Sequence, residues 1–121
     1  RNKKIAFLGV TFKPNTDDMR ESSSLFIIPY LIKKGAKISY CEPSGEKAEL
    51  LNLKNVKYCL NIKSACLGAD LVVIHTEWDE FKTIDFKKVI KNKSVKIYDM
   101  RNLYSPTKMK RLGLQYYSIG R

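Results

Sequence analysis

The sequence contains little of what marks secreted, metal-binding or membrane proteins. Its three cysteines, Cys41, Cys59 and Cys66, form no CxxC pair, and their odd number argues against a full disulfide framework. A single histidine makes a metal site unexpected. No apolar run approaches the roughly 20 residues that a membrane-spanning helix needs. These absences favour a reduced, cytoplasmic protein whose thiols lie in its core.

The sequence also lacks a GxGxxG dinucleotide fingerprint, because Gly9 stands alone after the first apolar segment. It has no repeat, low-complexity tract or linker. A length of 121 residues, with 44% hydrophobic and 29% charged residues, suits one domain that covers residues 1–121. The chain begins with Arg1, and we interpret it as a processed chain or an excised domain.

The charge balance is strongly basic, with a formal net charge of +11. Such a balance suggests anionic partners, which include nucleic acids, anionic membranes and small molecules. The lysines are spread along the chain and form no basic stripe with interleaved aromatic residues. A nucleic-acid-binding module is therefore only a distant alternative, and we interpret most of the lysines as a solvated surface.

Strand and helix patterns alternate along the whole chain. Strands are predicted at residues 4–9, 36–41, 56–58, 70–75, 95–99 and 114–118. Helices are predicted at residues 21–34, 46–53, 62–67 and 86–91, and a last helix from residue 105. This order predicts a three-layer α/β fold with a mostly parallel sheet and helices on both faces, similar to a Rossmann fold.

The first helix carries its own boundary signals. Asp18 and Glu21 have capping-box spacing, and Ser22 is a competing N-cap. Gly35 has the position of a C-cap glycine. Pro29 lies inside the helix and is expected to bend it or to weaken one turn.

Four polar segments follow the predicted strands, at residues 11–20, 41–43, 76–78 and 99–102. The carboxyl ends of parallel strands share one edge, which is where open α/β sheets bind ligands. A site at this edge would bring together Lys13, Arg20 and Arg101. With the free amides of a helix N-terminus, these cations favour an anionic ligand such as a phosphate.

Arg20 has two interpretations of about equal weight. A cation in the first turn of a helix opposes the macrodipole, at roughly 0.3–1 kcal/mol if exposed. Either Asp17, Asp18 or Glu21 pairs with it, or an anion binds there.

The other two cations also have structural alternatives. On spacing alone, Phe12 in the core with Lys13 in solvent is favoured over stacking on a base and reaching a phosphate. Arg101 either pairs with Asp99 or Glu77, or uses its fork of donors to hold a phosphate or planar group. No catalytic set is recognisable from these residues.

Four sequence blocks, at residues 9–22, 76–81, 99–102 and 117–121, match a known family in the same order. They resemble the C-terminal, UDP-binding domain of the UDP-glucose/GDP-mannose dehydrogenases. The resemblance covers essentially the whole chain, and its first block is long and highly specific.

The resemblance implies roles for individual residues. Phe12 and Lys13 match residues that contact the UDP-sugar, and Arg101 matches an arginine that holds the substrate. Arg20 matches an arginine that reaches NAD, which is bound mainly by an N-terminal domain. No catalytic or metal-binding residue is implied within this chain.

The resemblance also implies the chemistry of the longer protein. The family oxidises the sugar 6-hydroxyl in two NAD-dependent steps, through a thiohemiacetal and a thioester on a cysteine. None of Cys41, Cys59 and Cys66 aligns with that cysteine, so this chain alone is expected to be inactive. The expected partners are a UDP-sugar, the N-terminal and central domains, and at least one further copy of the full-length enzyme. The full set of blocks, with the ending on Ser-Ile-Gly-Arg, favours UDP-glucose, with a UDP-N-acetylhexosamine or GDP-mannose as the alternative.

Overall fold

The computed structural model describes residues 3–11, 13–16, 18–19, 22–90 and 94–118. Within these ranges, no helix is both long enough and apolar enough to cross a bilayer.

In the part of the chain that the structure describes, six parallel strands form a single sheet in the order β3-β2-β1-β4-β5-β6. They are β1 Lys4–Leu8, β2 Lys37–Cys41, β3 Val56–Tyr58, β4 Leu71–Ile74, β5 Lys96–Asp99 and β6 Gln115–Ser118. The predicted α/β fold with a parallel sheet is confirmed, and each strand boundary lies within one residue of its prediction. The branched apolar run of β4 is typical of a strand covered on both faces.

Within the described residues, six helices connect the strands, and most are short. They are α1 Ser24–Lys33, α2 Ala48–Leu51, α3 Ile62–Cys66, α4 Asp79–Lys82, α5 Phe86–Val89 and α6 Pro106–Arg111. The structure differs from prediction at α4, which was not expected, and at α2, which is half its predicted length. A four-residue helix has too few residues to show a helical period, so packing rather than pattern determines it.

Helix α1 begins later than its sequence signals indicated. It starts at Ser24, and Ser23 at the N-cap makes no side-chain capping bond; Glu21 lies outside the described residues. At the other end, Gly35 has φ 96° and donates to the Ile32 carbonyl, which confirms it as the residue that ends the helix. The helix continues through Pro29 to Lys33, so the proline does not end it.

The core has two layers, one on each face of the sheet. In β1, Ile5 and Phe7 pack with Ile28 of α1, whereas Ala6 and Leu8 pack with the layer under α3 to α6. This alternation is the period of two that a strand imposes on its side chains. Helices α1 and α2 cover one face and the remaining helices cover the other, which confirms the three-layer arrangement.

Candidate functional site

The candidate site lies at the carboxyl edge of the sheet, where β1 and β4 are neighbours. The chain leaves β1 towards β2 on one side and leaves β4 towards β5 on the other. Such a switch in direction opens a crevice that binds ligands in α/β folds. The segments that follow β1, β2, β4 and β5 all emerge at this edge, as the sequence predicted.

The segments after β1 and β4 approach each other closely. Gly9 has φ 85°, and a Cβ atom placed on it would lie 2.5 Å from Thr76 Cβ. Glycine is therefore required here both by conformation and by space. The buried Thr76 hydroxyl donates to the Thr11 carbonyl at 2.8 Å, which fixes the start of the loop after β1.

A buried carboxylate holds the same loop from the side of β2. Glu42 directly follows β2 and is only 2% exposed. Its Oε1 accepts from the amides of Val10 and Thr11 at 2.8 and 3.2 Å. Its Oε2 accepts from the amide and hydroxyl of Ser44 at 3.1 and 2.7 Å. Four donors satisfy the carboxylate away from water, which is the condition for burying a charge.

Two serines connect the beginning of α1 to this loop. The hydroxyls of Ser22 and Ser24 are both buried, and each donates to the Val10 carbonyl at 2.6 Å. Together with Glu42, they satisfy both backbone polar groups of Val10. From the sequence, Ser22 was expected only as a helix cap.

His75 links the β4 end to α1 through its side chain. Its Nε2 lies 2.8 Å from the Ser23 hydroxyl and its Nδ1 lies 3.2 Å from Thr76 Oγ1. Because the Thr76 proton is directed to Thr11, Thr76 Oγ1 accepts from Nδ1–H. This assigns Nε2 as the acceptor of the Ser23 proton.

The environment of His75 keeps the ring neutral. Burial, and secondarily the charge of Arg101, lowers its pKa from 6.5 to about 4. The described residues contain no group of three or more His, Cys, Asp or Glu side chains able to hold a metal ion. Its contacts with Ser23 and Thr76 make His75 a hydrogen-bonding residue of the edge.

Asp99 organises the segment that follows β5. It is fully buried, and its Oδ1 accepts from the Arg101 amide at 3.0 Å. Its Oδ2 accepts from the Tyr104 amide at 3.0 Å and from the Tyr116 hydroxyl at 2.6 Å. The carboxylate thus holds the backbone beside Arg101.

Arg101 reaches across from β5 to the end of β4. Its Nε donates to the His75 carbonyl at 2.7 Å and lies 3.7 Å from Glu77 Oε1. The side chains of Arg101 and Glu77 are 32% and 42% exposed, so this pair contributes only about 0–1 kcal/mol. The predicted pairing of Arg101 with Glu77 is thus present in the structure.

The remaining predicted site residues lie on the loop after β1. Lys13 is exposed, and its carbonyl accepts from the Thr11 hydroxyl at 3.0 Å. Phe12 and Arg20 lie outside the described residues. The structure thus places Lys13 and Arg101 on segments that share one edge.

The three cysteines are buried and unpaired, as predicted for core thiols. Burial raises the pKa of the Cys41 thiol to about 11 and that of Cys66 to about 12. Thiols whose pKa is raised in this way, as in Cys41 and Cys66, remain protonated near neutral pH and are poor nucleophiles.

The structure reveals three site residues that sequence reasoning missed as organisers: Glu42, His75 and Asp99. Each stands at the last position of a strand or directly after it. The available signal was a polar residue at the end of a buried strand, where its side chain needs a hydrogen-bonding partner. That signal could not identify the partner.

Residues 6–106 match the UDP binding domain of the UDP-glucose/GDP-mannose dehydrogenase family. The chain therefore belongs to this family, and the resemblance seen in the sequence is confirmed.

The chain is similar over its whole length to parts of larger proteins. It is 37% identical to the UDP-glucose 6-dehydrogenases of Rickettsia prowazekii and Rhizobium meliloti, over 99% and 100% of this chain. It spans 28% of the length of either relative. The solved structure of an NDP-N-acetyl-D-galactosaminuronic acid dehydrogenase from Methanosarcina mazei matches 99% of this chain and 25% of its own, with a TM-score of 0.83 and 25% identity.

Removal of one hydroxyl should test the role of Asp99. Tyr116→Phe removes the bond to Asp99 Oδ2 and is expected to lower the free energy of unfolding by about 1–3 kcal/mol. Tyr117→Phe is the matched control, since that ring is 50% exposed and lies one residue away. Urea unfolding of both variants measures the difference, and equal stabilities would contradict the assigned role.

His75 should make stability depend on pH. Because its folded pKa of about 4 lies below its ordinary value of 6.5, the unfolded chain binds a proton first as the pH falls. The stabilisation by neutral His75 is fully present above pH 6.5 and is lost as the pH falls towards 4. The free energy of unfolding decreases by about 3 kcal/mol over this range. Urea unfolding across this range should therefore show a steeper loss for the wild type than for His75→Gln. Parallel profiles would show that His75 does not titrate as described.

Proposed function

We propose that this chain is the sugar-nucleotide-binding part of a UDP-glucose 6-dehydrogenase. In this proposal the whole protein oxidises UDP-glucose to UDP-glucuronate, using two NAD. The observation that carries it is the 37% identity, over the whole chain, to relatives of that name. The position of Lys13 and Arg101 at the ligand-binding edge of the sheet supports it independently.

The pyrophosphate of the nucleotide is an anion that the cations Lys13 and Arg101 of this edge can bind. Arg101 is oriented by its bond to the His75 carbonyl, so it approaches an anion with little rearrangement. A guanidinium fork suits phosphate oxygens, and charge-assisted bonds of this kind are about twice as strong as neutral ones. We assign substrate binding to Phe12, Lys13 and Arg101.

The cofactor role falls to a different residue. NAD accepts a hydride in each oxidation, and we assign Arg20 to contact it from this side, while the N-terminal domain binds most of it. The residues of this chain bind and orient the ligand and shield it from water. The three cysteines are buried, and burial raises the pKa of Cys41 and Cys66, so we assign the covalent chemistry to residues outside this chain and expect the chain alone to be inactive.

The remaining features of the proposed enzyme concern its partners. We assign it N-terminal and central domains, an assembly of at least two copies, and a location in the cytoplasm. The unpaired, buried cysteines are compatible with a reducing compartment.

A second substrate class has one supporting observation. The structure from Methanosarcina mazei carries the name of an N-acetylhexosaminuronate dehydrogenase and shares the fold with a TM-score of 0.83. The lower identity of 25% makes a UDP-N-acetylhexosamine the weaker candidate, and GDP-mannose is a further alternative within the family. NADH production by the intact protein with each sugar nucleotide separates them.

The proposed site is tested by removing its cations. Arg101→Ala should weaken UDP binding to the chain, and kcat/KM of the intact enzyme, by at least about tenfold, because a bond to a charged group contributes about 1.5–3 kcal/mol. Lys13→Ala should weaken both in the same direction and make binding less sensitive to salt.

The matched control for these variants is Arg111→Ala. Arg111 is exposed in the last turn of α6, which leads to the amino end of β6 and thus to the opposite edge of the sheet. Isothermal titration calorimetry and steady-state kinetics should leave this variant at wild-type values. Wild-type behaviour of both Arg101→Ala and Lys13→Ala would refute the proposed site.

A further inference from the structure

The loop after β1 presents backbone amides at the place where dinucleotide-binding folds present theirs. In those folds, the turn between the first strand and helix directs its amides at a pyrophosphate. Here the amides of Val10 and Thr11 both donate to Glu42 Oε1, at 2.8 and 3.2 Å. A carboxylate of the chain itself therefore receives the bonds that a phosphate oxygen would receive.

In those folds, an acidic residue at the position of Glu42 has a different role. An acidic residue after the second strand ordinarily bonds the ribose hydroxyls of a dinucleotide. Glu42 directly follows β2, but its second oxygen accepts from the amide and hydroxyl of Ser44. The Glu42 side chain is only 2% exposed, so it points into the sheet edge and not outward to a ligand.

The sequence of the loop agrees with this arrangement. The second glycine of GxGxxG allows the backbone to approach a pyrophosphate, and Thr11 occupies that position. Thr11 is fully buried, and its hydroxyl donates to the Lys13 carbonyl. The side chain of Thr11 and the carboxylate of Glu42 thus fill the space that the fingerprint keeps open.

We propose that Glu42 is an internal substitute for a phosphate. Its carboxylate occupies the anion site of the β1–α1 loop and excludes a dinucleotide pyrophosphate from it. A phosphate ligand at this edge must then be held by groups other than the amides of Val10 and Thr11, for which the side-chain cations are available. This last step rests on the proposed function, whereas the occupied anion site does not.

Removing the carboxylate should expose the anion site to small anions in solution. In Glu42→Ala, inorganic phosphate or acetate can accept hydrogen bonds from the amides of Val10 and Thr11, which no longer have a carboxylate partner. Thermal unfolding is measured in phosphate, in acetate, and in sodium chloride of equal ionic strength. We expect Glu42→Ala to melt below the wild type in chloride, and phosphate or acetate to raise its Tm by about 5 °C more than that of the wild type.

Two variants serve as controls. Glu46→Ala removes an exposed carboxylate four residues away, and it should respond to the anions as the wild type does. Glu42→Gln keeps the side chain in place but sets an amide group against the Ser44 donors. It should be destabilised without recovering in phosphate, because the site remains filled.

Each outcome bears on the proposal. If Glu42→Ala is unfolded at room temperature, circular dichroism should show phosphate or acetate restoring its fold, and failure to do so overturns the proposal. Equal anion effects on all four proteins also overturn it. Since none of these measurements uses UDP, loss of the proposed function would be seen separately, as the absence of UDP binding by the wild type.

Discussion

The structure depends on the requirement that buried polar groups at the carboxyl edge find partners. A parallel sheet ends there in loops whose amides and carbonyls cannot all reach water. Ser22, Ser24 and Thr76 meet part of this requirement by donating to the carbonyls of Val10 and Thr11. Three further side chains contribute, one at the end of each of β2, β4 and β5: Glu42, His75 and Asp99. Each is at most 2% exposed and bonds to a segment other than its own strand. The strand ends are thereby joined into one surface.

That surface also determines where the cations lie. Asp99 fixes the backbone next to Arg101, and the His75 carbonyl fixes its guanidinium. Glu42 fixes Val10 and Thr11, whose hydroxyl in turn bonds the Lys13 carbonyl. The buried groups therefore position the exposed ones. A substitution at any of the three would move the candidate site without touching a ligand.

The sequence predicted the fold well because its signals are local. Alternating strand and helix patterns identified every strand, and Gly35 marked the end of α1. The helix α4 was missed because four residues show no period. The organising roles of Glu42 and His75 were missed for a different reason, since their partners lie 32 and 52 residues away in the sequence. Composition and spacing describe a residue's neighbours along the chain, whereas a buried hydrogen bond depends on topology.

The charge of the site follows from the same buried groups. His75 lies beside Arg101, so a protonated ring would place a second positive charge next to the guanidinium. The ring contacts the hydroxyls of Ser23 and Thr76, which carry no compensating negative charge. Desolvation prevents protonation by keeping the pKa of His75 at about 4. Glu42 and Asp99 accept hydrogen bonds from backbone amides and hydroxyls. Exposed Lys13 and partly exposed Arg101, with Glu77 beside it, are then charges that an anion from solution would meet at this edge.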